Sequence, residues 1–260
     1  MSPSPDPAEL RDLASTVAAD IAAYLREEVA VGHQPDTKSS GTDFVTAIDR
    51  ESERRIVEAI TAVRPDDAFM GEEGTDTPGT TGVRWVIDPI DGTTNFVHAH
   101  PGFSVSIAAE IDGDIVAGAV ADPMHDQLFE AVLGGGARCN GEPIAVTTET
   151  DLSKALVATG FSYDPDRRRR QAEALMTILP RIADIRRMGS AATDLCGVAI
   201  GRVDASFEIG LNHWDLAAGA LIAAEAGAVL RWPDADGMTI ACAPGLAGEL
   251  IPLIESVGIV

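Results

Sequence analysis

Two aspartates, Asp88 and Asp91, stand three residues apart in the string Trp85-Val-Ile-Asp88-Pro89-Ile90-Asp91-Gly92-Thr93-Thr94-Asn95-Phe96. The apolar run 85–87 reads as a strand, and Pro89, which has no N–H for a strand ladder, stops it from simply continuing. Outside a regular strand the two carboxylates can converge on one point instead of facing opposite sides. Hard oxygen ligands, with neither His nor Cys among them, suit magnesium or manganese rather than zinc. Gly92-Thr93-Thr94 follows at once and can open a helix, whose first free N–H groups would grip a phosphate beside the metal. Taken singly, each aspartate is more simply a turn former or a helix cap. The combined string is what points to metal-assisted phosphate chemistry.

Three further islands supply acids. Lys38-Ser-Ser-Gly-Thr-Asp43-Phe-Val-Thr46-Ala-Ile-Asp49 brings a carboxylate to the start of a helix, where N-capping is the competing role. Gly71-Glu72-Glu73-Gly74 places acids after a short apolar strand, and Trp214-Asp215-Leu-Ala-Ala-Gly219 sets one in the first turn of an Ala-rich helix. The helix dipole alone favours such an acid by about 0.3–1 kcal/mol. His98, His100 and His213 lack zinc-ligand spacing, so structural polar contacts are expected of them. The Arg167–Arg170 run reads as a solvated helix face. Arg187, adjoining Gly189-Ser190, can support a pocket or a subunit contact, and Trp214 reads as a core anchor.

The elements that must position these residues follow from periodicity. Asp6-Pro7-x-Glu9 starts a helix carried by Leu10, Leu13, Val17, Ile21, Tyr24, Leu25 and Val29 and closed at Gly32. A second helix covers roughly 49–63, a short strand 68–70, and a polar loop 75–82. Strands are expected at 85–87, 103–107, 115–120 and 128–133, with Asp112-Gly113 and Asn140-Gly141 as turns. From residue 148 the pattern alternates: strands at 155–159, 185–188, 205–209, 229–232 and 239–243, helices at 166–179, 191–200 and 214–226, and a last helix. The expectation is an α/β (α+β) protein with subdomains 1–147, mainly antiparallel sheet, and 148–260, α/β, packed as one unit. With 45% hydrophobic residues among 260, a core forms without disulfides, and three scattered cysteines point to a reducing compartment. A net charge of −22 disfavours nucleic-acid binding. Nothing near Met1 resembles a signal peptide and no apolar run reaches membrane-span length, so a soluble cytoplasmic protein is expected, without membrane association.

From about Leu10 to Leu253 the chain resembles the inositol monophosphatase family. The strings 85–96 and 214–219 are similar to that family's two signatures, and Asp43–Asp49, Gly71–Glu73 and Arg187–Ala192 to its other characteristic stretches. The resemblance implies a five-layered α-β-α-β-α sandwich, usually a homodimer and often lithium-sensitive, holding two or three Mg2+ ions with Mn2+ as a substitute. It implies Glu72, Asp88, Asp91 and Asp215 as metal carboxylates, with the Ile90 carbonyl as a further ligand. Asp49, Thr93 and Glu72 would orient the attacking water, and Gly92 and Thr93 would bind phosphate through their N–H groups. Gly189, Ser190, Ala191 and Glu208 would line the alcohol pocket, with Asp91 and Asp215 also reaching substrate. The implied reaction is hydrolysis of a polyol phosphate, myo-inositol 1-phosphate first, without a covalent intermediate. Histidinol phosphate and fructose 1,6-bisphosphate are alternatives, and so is a regulatory binding role. A bisphosphate would ask for a cationic pocket that the acidic sequence does not reveal.

Overall fold

Asp6 opens the first helix as expected, its carboxylate accepting from the Ala8 amide (2.9 Å) with Pro7 in the first turn. The computed structural model of the chain describes residues 5–29, 36–37, 44–45, 47–233 and 237–258, with 36–37 and 44–45 described as backbone alone. The island 38–43, Thr46 and the closing Gly32 lie outside them. In chain order the elements are α1 (Pro7–Val29), the paired two-residue strands β1 (Asp36–Thr37) and β2 (Phe44–Val45), α2 (Ala47–Val63), β3 (Ala68–Gly71), β4 (Asp76–Thr77), β5 (Val83–Asp91) and α3 (Thr93–Val97). There follow β6 (Ser104–Ile111), β7 (Asp114–Asp122), β8 (Gln127–Val132), β9 (Gly136–Cys139) and β10 (Glu142–Pro143). The second half holds β11 (Leu156–Thr159), α4 (Pro165–Ile178), β12 (Asp184–Arg186), α5 (Ala191–Ala199), β13 (Ala205–Ile209), α6 (His213–Glu225), β14 (Val229–Arg231), β15 (Met238–Cys242) and α7 (Ala247–Ser256).

The larger sheet runs β10-β9-β8-β7-β6-β5-β3-β4 and is antiparallel except for the parallel β3–β5 pair. The smaller runs β12-β11-β13-β15-β14, parallel across β12-β11-β13 and antiparallel beyond. Helices α1 and α2 cover one face of the large sheet. Val105, Ile107 and Ala109 of β6 join Leu10, Val17 and Ile21 of α1 and Ile56 of α2 in one apolar cluster. The alternate positions, Ala108 and Val86 among them, join Ala192 of α5 and Ala218 and Ile222 of α6 on the other face. Both faces being covered, β6 is buried nearly throughout. The same reasoning explains α5, buried throughout, and the unbroken apolar run 216–223 of α6, because a helix between two sheets has no wet side. Their far side meets Ala158 and Ala241 of the small sheet, whose other face packs on α4 and α7. The five layers are thus α1/α2, large sheet, α5/α6, small sheet, α4/α7.

Three expectations need correction. The segment 75–82, read as loop, contains the edge strand β4, and β9 pairs where only turns were read. More consequential, β5 does not stop at Ile87 but runs through Pro89 to Asp91. Asp88 opposes Ser106 and Asp91 opposes Ser104, so one extra residue is accommodated on β5. In a regular strand Asp88 and Asp91 would lie on opposite faces. The bulge re-phases the strand. Ile90 joins the α1/α2 core, while Asp91 meets the start of α5 on the same side as Asp88.

Candidate active site

Asp91 is held by three donors at the start of α5. The Ser190 hydroxyl and the Ala192 amide both reach its Oδ2 at 2.7 Å, and the Ala191 amide adds a third bond. Ser190 is also the cap of that helix, accepting from the Thr193 amide (3.0 Å). Burial still pushes the Asp91 carboxyl up, opposed by those donors and by Arg187. Asp88, 1% exposed, accepts from the Ile90 amide (3.1 Å). It is raised further, first by burial and then by the charges of Glu72, Asp91 and Asp215. It is in hydrogen-bond contact with both Glu72 and Asp215. Asp215, in the first turn of α6, accepts from the Asn212 amide (2.6 Å) and is pushed up to about 7, chiefly by burial and then by Asp91.

Glu72 follows β3 on a loop built around a buried glutamate. Its own amide donates to the Ile87 carbonyl (3.1 Å). Glu53 of α2, 4% exposed, accepts from the Glu73 amide (2.8 Å), the Thr75 amide (3.0 Å) and the Thr75 hydroxyl (2.6 Å). A side chain at Gly71 would collide with that carboxylate. Sequence reading passed over Glu53, which offered only an acid on the inner stripe of an amphipathic helix as a signal.

At the end of β5 the chain turns through Gly92 in the left-handed region (φ +94°) into α3. A Cβ there would lie 2.7 Å from the Gly102 carbonyl and 2.9 Å from that of Gly189. Gly92 and Thr93 line the same cleft as the carboxylates, and the first amides of a helix are not used by the helix itself. The Thr93 hydroxyl lies 3.1 Å from the Ile90 carbonyl and 3.5 Å from Asp49, which is 1% exposed. Asp49 is the third residue of α2, not its cap, and backs Thr93 from behind the cleft wall. Asn95 joins the two halves, its amide nitrogen donating to the carbonyls of Met188 (2.6 Å) and Gly102 (2.7 Å).

These parts enclose a cleft of about 210 Å³. Glu72, Asp88, Ile90, Asp91, Gly92 and Thr93 line it, and so do Gly189, Ala191, Glu208 and Asp215. Ser190 is not on its wall. The side chain is 2% exposed and is used up in holding Asp91 and capping α5. Glu208 of β13 is pushed up to about 8, mainly by burial and then by Asp91, with Arg187 opposing. Arg187 lines the cleft, as does Arg167, which corrects the reading of the arginine run as solvated face at that one residue; Arg169 and Arg170 are exposed, and Arg169 pairs with Glu173 (2.9 Å). Hard carboxylate oxygens, mutually repelling and short of counter-charge, are the donor set expected of a magnesium or manganese site. They line an open cleft, and among the described residues no three acids, histidines or cysteines close on one point as a finished cage. His213 pairs with Glu110 (2.7 Å) and His100 with the Pro101 carbonyl (2.6 Å), the structural contacts expected.

The match of residues 6–253 to the model of the inositol monophosphatase family decides the relationship. The chain belongs to the inositol monophosphatase family. It is 44% identical to inositol-1-monophosphatase SuhB of Mycobacterium tuberculosis, over 97% of this chain and 96% of that one. The solved structure of Mycobacterium tuberculosis SuhB superposes with a TM-score of 0.86 at 42% identity, covering 98% and 99%. The Nus factor SuhB of Escherichia coli is 43% identical over 75% of this chain and 73% of its own. Membership makes this chain a phosphatase by family, of a kind that is generally metal-dependent, acting on a small-molecule phosphate. Among the described residues no helix is long and apolar enough to cross a membrane.

Proposed function

We propose that this protein is a magnesium-dependent phosphomonoesterase that hydrolyses a small polyol phosphate, with myo-inositol 1-phosphate as the preferred candidate. The observation that carries the reading is the meeting of Glu72, Asp88, Asp91 and Asp215 in one cleft beside the amide end of α3. Those carboxylates and the Ile90 carbonyl would hold two or three magnesium ions, with manganese as a substitute. When bound, magnesium supplies positive charge against the phosphoryl oxygens and acidifies a coordinated water. The Gly92 and Thr93 amides take phosphoryl oxygens. The Thr93 hydroxyl lies within reach of the Ile90 carbonyl (3.1 Å) and of Asp49 (3.5 Å); with that carbonyl taken up by a metal ion its proton would go to Asp49, leaving its lone pairs for the incoming water, and Glu72 would fix that water's line of approach. Gly189, Ala191 and Glu208 receive the alcohol, and Asp91 and Asp215 border it. A covalent intermediate is not required. The three free cysteines are buried and do not line the cleft.

The test is phosphate release from inositol 1-phosphate, histidinol phosphate and fructose 1,6-bisphosphate, with and without Mg2+. Release from none of them in saturating Mg2+ overturns the reading. The same reading carries lithium inhibition, a homodimer and a cytoplasmic location, the dimer being checked by sedimentation. A regulatory role is the second reading, favoured by the likeness to a relative named as a Nus factor. A stable protein partner recovered with the tagged chain, together with absent phosphatase activity, would favour it.

A further inference from the structure

The seam between α5 and the small sheet is largely apolar: Leu195 and Val198 of α5 join Ala158 of β11 and Ala241 of β15 in one cluster. Asp194 of α5 interrupts it. The residue is 6% exposed, and among the described residues its Oδ1 has no hydrogen-bond partner. Thr239 of β15, 4% exposed, carries a second such atom, its hydroxyl oxygen. In the antiparallel pairing of β13 with β15, Thr239 stands directly opposite Glu208, so the two side chains leave the same face of the small sheet. Asp194, Thr239 and Glu208 line one cavity of about 10 Å³, the room that a single water needs. Glu208 also lines the catalytic cleft, whereas Asp194 and Thr239 do not. It therefore stands between the cleft and the small cavity behind it. Its carboxyl also packs against Gly160, just beyond β11, so closely that a side chain there would collide with it.

A carboxyl oxygen and a hydroxyl left without partners are unfavourable in an interior where leucine and valine would pack without that penalty. One water in the cavity satisfies both atoms. Burial, then the charges of Glu208 and Asp91, pushes Asp194 well above the usual carboxylate range with only Arg187 opposing. The neutral acid is thereby favoured, and it can donate as well as accept. We propose that Asp194 is a positioning residue of the substrate pocket: with Thr239 it holds one water against the back of Glu208, and that water fixes the carboxyl that receives the alcohol. The inference rests on the phosphomonoesterase reading and deepens it, adding a determinant of alcohol specificity that itself touches no substrate. The metal carboxylates lie on the other side of Glu208, so the effect belongs to recognition of the alcohol hydroxyls and not to phosphoryl transfer.

The test compares myo-inositol 1-phosphate with cyclohexyl phosphate, the same ring without the hydroxyls that Glu208 can bind, both in saturating Mg2+. For the wild type the ratio of the two kcat/KM values favours the inositol ester. Asp194→Leu should lower that ratio by about tenfold and Thr239→Val by about threefold, the weight of one hydrogen bond or part of one. The loss should appear in KM for the inositol ester more than in kcat. Asp194→Asn, neutral and able to hold the same water, should stay within about twofold of wild type. In a Glu208→Ala background Asp194→Leu should lower the ratio no further, because the two residues act as one unit. Both esters are read on one preparation, so partial unfolding of a variant lowers both rates and leaves their ratio unmoved. Thr239→Val removes one hydroxyl while keeping the shape, and it decides the matter if Asp194→Leu does not fold. The positioning role is overturned, with the phosphatase left intact, by any of four results: a wild type that does not prefer the inositol ester, a ratio unmoved in Thr239→Val or in folded Asp194→Leu, a loss in Asp194→Asn as large as in Asp194→Leu, or a full further loss in the Glu208→Ala background. Release from neither ester overturns the polyol-phosphatase reading and this proposal with it.

Discussion

Asp88 is the residue on which the cluster turns, since it is buried and touches acids on two sides. Asp88→Asn should reduce phosphate release by about a thousandfold or more, the several kcal/mol of charge stabilisation that a metal site supplies. The metal-free variant should melt no lower than wild type, because the substitution removes like-charge repulsion. Activity near the wild-type rate would exclude the metal assignment. Glu208 gives a pH prediction. Its folded value of about 8 lies above the ordinary 4.5, so between these values the folded state keeps a proton that the unfolded chain has released. This contribution to stability is complete below about 4.5, is lost as pH rises, and levels off above about 8. Glu208→Gln keeps the neutral shape. In chelator at pH 8 it should melt above wild type by several degrees, about 1 kcal/mol or more, and the gap should close near pH 5. Calorimetry with an equal gap at both pH values would remove Glu208 as the cause.

At the scale of elements, the loop 71–75 and the bulge in β5 do the positioning. Glu53→Ala would strand three donors, each costing on the order of 1–3 kcal/mol if left unmet in the interior. The expected result is a lower melting temperature and a higher Mg2+ concentration at half-maximal activity, with Glu53→Gln recovering part of both. An unchanged Mg2+ requirement in a folded Glu53→Ala protein would separate this loop from the metal site. Much at this level was legible. The capped α1, the period-3.6 stripe of α2 and the Asp112-Gly113 turn all follow from local chemistry. The bulge was not, because Pro89 announces an irregularity without saying whether the ladder ends or merely shifts phase. Nor was the reach of Arg167: four arginines in a row look like any solvated helix start until β13 and Gly210 are set beside them.

The whole molecule carries a charge of −22, and its densest acids share one cleft. Screening should therefore raise the melting temperature of the metal-free protein, and MgCl2 should raise it further than NaCl at equal ionic strength. Binding at a hundredfold excess over Kd is worth about 2.7 kcal/mol. Equal effects of the two salts would deny a specific site. The sequence by itself determined the kind of chemistry, because carboxylates, glycines and threonines in five ordered islands state which atoms are on offer. It also determined the alternation of helix and strand, which depends on neighbours three or four residues away. Only the tertiary structure decided which acids meet: Asp215 and Asp91 are brought together by α5 and α6 lying between two sheets, a long-range packing choice. It likewise decided that Ser190 supports Asp91 rather than lining the cleft, and that Arg167 faces inward. Those outcomes turn on strand phase and layer contact, and neither is encoded within any short window of residues.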